Sequence, residues 1–156
     1  MPMLNIFKKR EKMIACVSGK LIPITEVNDA VFSQKMMGDG FAIVPTDSKV
    51  YAPLSGTISF CFPTNHAIGI KTKDGIDILI HMGIDTVELK GKGFKSYVVQ
   101  GQNVKQGDLL SEMDFNLIKE AGYDPTVIVV FPNNVVNNLE SSKHVEHHVS
   151  IQSEIK

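Results

Sequence analysis

Apolar positions along the chain fall in short runs separated by turn residues. From Ile14 onward the punctuation is regular, with Pro23, Gly38, Gly40, Pro45, Pro53, Gly56, Pro63, Gly75, Gly83, Gly101, Gly107, Gly122 and Pro132 between β-branched stretches. This spacing predicts an all-β fold, an antiparallel sandwich or flattened barrel. Gly56-Thr57-Ile58-Ser59-Phe60 and Thr126-Val127-Ile128-Val129-Val130-Phe131 have strand length and strand composition. In Ile76-Asp77-Ile78-Leu79-Ile80-His81-Met82 the side chains alternate, so Ile76, Ile78, Ile80 and Met82 share the core face. Asp77, Leu79 and His81 share the other. A histidine pointing outward beside an exposed leucine suggests a docking surface. One short helix is expected after Asp114, with Leu117, Ile118 and Ala121 as its apolar stripe and Gly122 as its stop. The stretch from Asn133 is polar, although Val149-Ser150-Ile151-Gln152 alternates like an edge strand.

Length and composition narrow the reading. A chain of 156 residues, 43% apolar, fits one domain with a full core. A net charge of -1 spread over both signs gives no electrostatic footprint for nucleic acid. No apolar run approaches the roughly 20 residues of a membrane span. The two cysteines, Cys16 and Cys61, are too few for a disulfide scaffold and read as reduced cytosolic thiols. Met13-Ile14-Ala15-Cys16 faintly resembles a lipoprotein cleavage site, but the apolar stretch that export requires does not precede it. The expected layout is a flexible N-terminal tail over residues 1–13 and a single cytoplasmic domain over 14–156. The tail segment Leu4 to Lys9 could touch an anionic membrane surface, but reads first as solvated chain.

Candidate chemistry rests on five histidines. Three lie in His144-Val145-Glu146-His147-His148, a polar segment without a Cys or paired carboxylate to complete a metal site. They read as a solvated surface. His66, in Thr64-Asn65-His66-Ala67-Ile68-Gly69-Ile70, has the parity of Ile68 and Ile70, so alternation turns it inward as a hydrogen-bonded core histidine. Gly69 and Ala67 would let a neighbouring strand lie close. The pattern by itself does not place His66 beside His81. Two strand histidines with Asp77 or Asp85 could also form a zinc hydrolase site, but no third ligand of the His-x-His kind lies beside His81. The segment from Gly101 to Leu110 resembles biotinyl and lipoyl carrier domains. Those carry a Met-Lys pair downstream, where this chain has Met113-Asp114, and a carboxylate cannot form the amide that attaches either group.

Thr64-Asn65-His66-Ala67 and the run from Ile80-His81-Met82-Gly83 through Ile84-Asp85-Thr86-Val87-Glu88-Leu89-Lys90-Gly91 resemble the two active-site motifs of the glucose-class enzyme IIA component of the sugar phosphotransferase system. Lys35-Met36-Met37-Gly38-Asp39-Gly40, Tyr51-Ala52-Pro53-Leu54-Ser55-Gly56 and the Gly101 to Leu110 segment match further landmarks in order. The resemblance covers about Gly19 to Phe131.

The resemblance implies the duplicated hybrid motif, an antiparallel β-sandwich with one or two short helices. It implies that His81 accepts a phosphoryl group from the histidine phosphocarrier protein and passes it to a IIB domain, which serves a membrane IIC domain. The Gly83 carbonyl would fix the His81 tautomer. His66 would donate a hydrogen bond to phosphoryl oxygens, with Thr64 orienting it. Val31, Phe32, Met36, Met37, Phe62 and Leu79 would form an apolar ring for partners, with Asp29 and Asp85 at the rim. Read without the family, Val31, Phe32 and Phe62 are ordinary core residues. No cofactor is expected, and zinc could sit on His66 and His81 only when a partner adds a ligand. With no IIB or IIC domain in the sequence, the acceptor is expected on a separate chain, and regulatory targets are open to a free-standing carrier. The competing reading is an interaction module that is no longer phosphorylated.

Overall fold

The computed structural model describes residues 11–151 and 153–156. In chain order its strands are β1 (Gly19–Pro23), β2 (Asp39–Pro45), β3 (Lys49–Tyr51), β4 (Gly56–Cys61), β5 (Ala67–Lys71), β6 (Asp77–Ile84) and β7 (Phe94–Ser96). They continue with β8 (Asn103–Val104), β9 (Leu109–Met113), β10 (Asp124–Phe131), β11 (Val136–Asn137), β12 (Lys143–Val145) and β13 (Glu154–Ile155). Two short helices interrupt them, α1 (Ala30–Ser33) and α2 (Phe115–Glu120). Helix α2 starts where the sequence places it, because the Asp114 carboxylate accepts the Leu117 N–H at 3.1 Å.

Strands β12-β1-β2-β10-β6-β5-β4-β8 form one antiparallel sheet, and β3-β9-β7 form a second. The main sheet ends on β12 and β8, so it is an open, flattened sandwich rather than a closed barrel. Alternation along β10 sorts Val127, Val129 and Phe131 to the main core, together with Ile80 and Met82 of β6 and Val50 and Leu110 of the small sheet. Ile128 and Val130 face the other way, into a second apolar cluster.

That second cluster corrects the sequence reading of β6. Leu79 does share the His81 face, but it is buried, because the segment from Ile24 to Phe32 folds over this side of the sheet. Ile24, Val27 and Phe32 pack there against Leu79, Ala42 and Ile84. Period-2 alternation reports which side a residue takes and says nothing about what covers that side.

Gly69 departs from expectation in a similar way. The space over it is filled by a side chain, since a Cβ there would meet the Phe60 ring at 2.3 Å. The ladder between β4 and β5 slips at this point, between Ile58 and Phe60.

At the N-terminal end, packing begins before Ile14. Met13 is buried, its carbonyl accepts the Ile151 N–H at 2.9 Å, and Glu11 accepts from the Ser55 N–H and hydroxyl at 2.6 and 2.8 Å. The flexible tail expected over residues 1–13 therefore does not reach its full length. The rest of it, and the membrane contact expected of Leu4 to Lys9, lie outside the described residues. Ile14 bridges Ser150, so Val149 to Ile151 is tied to the domain by an isolated bridge instead of an edge strand. Gln152 lies outside the described residues. Cys16 and Cys61 are both free, and burial pushes the Cys16 thiol up to about 12. Among the described residues no helix is long and apolar enough to cross a membrane.

Candidate functional site: a histidine pair

The site forms where the loop before β5 meets the middle of β6. The loop is tight: the Phe62 N–H donates to the Ala67 carbonyl at 3.1 Å and the Asn65 N–H to the Phe62 carbonyl at 2.8 Å. Asn65 adopts φ +58, a conformation that asparagine tolerates better than most residues. Strand β5 begins only at Ala67, so the alternation read back to His66 does not apply to it. The turn at Asn65 instead brings the His66 ring to the His81 face. The rings stand nearly perpendicular, 80° apart, with centroids 5.0 Å apart.

Each ring is held through its Nδ1. His81 Nδ1 lies 2.7 Å from the Gly83 carbonyl oxygen, which can only accept, so Nδ1 carries the proton and Nε2 the lone pair. His66 Nδ1 is hydrogen-bonded to the Thr64 hydroxyl at 2.5 Å. When that hydroxyl donates, the His66 proton sits on Nε2, free to point at a bound anion. The Gly83 carbonyl is available because β6 is irregular here. Gly83 has φ +88, and the ladder to β10 shifts register between Asp124 and Val127.

Burial and charge set the protonation states. His66 is depressed to about 4, first by desolvation and then by the neighbouring His81. His81 is also lowered by desolvation, against the opposing pull of the Gly83 carbonyl, Asp29 and Asp85. Both rings are therefore neutral near pH 7, which leaves Nε2 of His81 a nucleophile.

The surroundings divide into two kinds. Val31, Met36, Met37 and Phe62 are exposed, by 42, 70, 42 and 43%. Phe32 and Leu79, expected in the same exposed ring, are buried at 4 and 6%. Phe32 still touches the site, its ring 4.9 Å from that of His81, so it acts as a wall behind the imidazole. Phe62 stacks on His66 at 5.2 Å with the planes 13° apart. Asp29 caps α1, accepting the Val31 N–H at 2.9 Å, and Asp85 is exposed in a left-handed turn at φ +59. Thr86, which carries no role in the sequence reading, lies fully buried beneath Gly83.

Among the described residues no three His, Cys, Asp or Glu side chains are grouped so as to hold a metal ion. His66 and His81 thus offer two ligands, and zinc would need more from elsewhere. The C-terminal histidines are engaged separately: His144 pairs with Glu146 at 2.7 Å, and His147 stacks on Tyr51 at 4.4 Å. A groove of about 1160 Å³ lies beside Ser55, Lys71 and Val104, away from the histidine pair.

An oriented neutral imidazole with a second imidazole at its edge has the chemistry to take up an electrophilic group at a ring nitrogen. The comparisons agree with that class. Residues 11–136 match the model of the phosphoenolpyruvate-dependent sugar phosphotransferase system, EIIA 1, family, and the chain belongs to that family. It is 46% identical over 123 residues to the PTS system glucose-specific EIICBA component of Streptococcus pneumoniae serotype 4, covering 79% of this chain and 17% of that one. It is 46% identical over 136 residues to the PTS system glucosamine-specific EIICBA component of Bacillus subtilis strain 168, covering 87% and 21%. The chain thus spans about a fifth of these relatives' length. Glucose permease IIA from Mycoplasma capricolum superimposes with a TM-score of 0.80 at 41% identity, covering 93% of this chain and 96% of that one. The chain is an EIIA unit of this family.

Proposed function

We propose that His81 is the phosphoryl acceptor, taking the group at Nε2 from the phosphorylated histidine phosphocarrier protein and handing it to a IIB domain in the cytoplasm. The observation that carries this reading is the bond from His81 Nδ1 to the Gly83 carbonyl, which leaves Nε2 as the nucleophile. In each transfer a P–N bond to the leaving nitrogen breaks as a bond to the attacking nucleophile forms. Phosphoryl transfer proceeds through a loose transition state, so positioning and charge stabilisation supply most of the catalysis. His66 then donates from Nε2 to the phosphoryl oxygens, with Thr64 holding its Nδ1.

Val31, Met36, Met37 and Phe62 receive the partners, while Phe32 and Leu79 lie buried and are not part of that exposed surface. Methionine suits a surface that serves both a donor and an acceptor, because it repacks easily. Asp29 and Asp85 steer basic partners and set the encounter rate. The relatives are named for glucose and glucosamine, and one of these sugars is the natural first substrate to try downstream.

The test separates the two histidines. His81→Ala should accept no phosphate from the phosphorylated donor protein. His66→Gln should accept it and pass it on poorly. A His66→Gln variant that supports sugar phosphorylation at the wild-type rate would remove His66 from the mechanism.

A further inference from the structure

The carbonyl that orients His81 belongs to a glycine in a conformation most residues avoid, and something must hold it there. Gly83 sits at φ +88 opposite the register shift between β6 and β10, where the ladder gives it least support. Thr86, in the 3₁₀ turn Thr86–Leu89, lies directly below. Its hydroxyl donates to the Met82 carbonyl at 2.6 Å. Its methyl fills the space over Gly83, where an added Cβ would meet Cγ2 at 2.3 Å. The side chain is fully buried.

The Met82 backbone is therefore gripped at both ends. Its N–H donates to the His66 carbonyl at 2.7 Å, and its carbonyl accepts from Thr86. The peptide between Met82 and Gly83 is fixed in orientation, and with it the direction of the next carbonyl, that of Gly83. The β10 side adds a stop. Asp124 binds the Thr126 N–H and hydroxyl at 2.9 and 2.7 Å, which braces the bulge facing Gly83.

We propose that Thr86 is a positioning residue for phosphoryl transfer: by donating its hydroxyl to the Met82 carbonyl, it keeps the Gly83 carbonyl on His81 Nδ1 and so keeps Nε2 free to react. The consequence for transfer rests on His81 being the acceptor; the positioning itself does not, and the two are read separately. Thr86→Val keeps the shape and methyl and deletes the donor. Thr86→Ser keeps the donor and deletes the methyl.

The experiment records the side-chain ¹⁵N resonances of His81 at pH 7.5 in the wild type, Thr86→Val and Thr86→Ser, together with the rate of phosphoryl acceptance. The wild type and Thr86→Ser should each show a single tautomer protonated at Nδ1. Thr86→Val should show a mixture of tautomers and accept phosphate about tenfold more slowly. A folded Thr86→Val with an unchanged tautomer overturns the proposal, as does a folded Thr86→Ser that loses it. Should Thr86→Val fail to fold, Thr86→Ala replaces it under the same criterion, losing the tautomer that Thr86→Ser must keep. If the wild type accepts no phosphate, the acceptor reading of His81 fails while the tautomer comparison still decides the role of Thr86.

Discussion

His81 and His66 meet edge to face across the β5–β6 boundary, with ring centroids 5.0 Å apart and each Nδ1 held by a neighbour, the Gly83 carbonyl for one and the Thr64 hydroxyl for the other. In the proposed function the pair divides the work of transfer, one ring offering a lone pair and the other a proton. That division depends on both rings being neutral, which burial enforces.

Neutral rings make stability depend on pH. His66 has a folded pKa of about 4 against 6.5 for the free side chain. Between these values the unfolded chain takes up a proton that the folded one refuses. Stability from this group is complete above pH 6.5 and is lost as pH falls toward 4. His81, also lowered, adds in the same direction. Thermal melts between pH 7.5 and 4 should show a falling midpoint, and His66→Gln should flatten the decline. An identical decline in that variant would assign the pH dependence elsewhere.

Gly83→Ala should be damaging in two ways. The added Cβ meets the Thr86 methyl at 2.3 Å and the Asp124 carbonyl at 3.0 Å, at a φ that alanine resists. A loss of about 1–3 kcal/mol is expected in denaturant unfolding. Phosphoryl acceptance should fall even in the fraction that remains folded, since the carbonyl on His81 Nδ1 shifts.

The two phenylalanines against the histidines should behave oppositely. Phe32→Ala empties a buried position and should cost about 3–5 kcal/mol. Phe62→Ala removes an exposed ring and should leave stability within about 1 kcal/mol while weakening the encounter with the donor protein. Equilibrium unfolding and a binding titration on each variant check both halves.

Charge at the rim should appear in kinetics. Asp29→Asn and Asp85→Asn should slow association with the donor protein and reduce its dependence on ionic strength. A second-order rate that is indifferent to salt in the wild type would contradict a steering role for these carboxylates.

The strands and α2 were legible because their signals are local: alternation along β6 and β10, and an aspartate three residues before the N–H it caps. The outward direction of His81 followed from the same period. Its burial environment did not, because Ile24, Val27 and Phe32 arrive from a distant part of the chain to cover Leu79. His66 was misdirected by alternation, since the left-handed turn at Asn65 resets the parity just before β5 begins. Only the family motif brought the two histidines together in the sequence. Thr86 left no mark of its own there, because a buried threonine hydroxyl bonded four residues back is visible only in three dimensions.

The most direct test incubates the protein with phosphoenolpyruvate, enzyme I and the histidine phosphocarrier protein, then measures acid-labile phosphate on the wild type and on His81→Ala. The account expects label on the wild type and none on the variant. Equal label on both would move the acceptor to another residue, and label on neither would leave the fold without the transfer chemistry assigned to it.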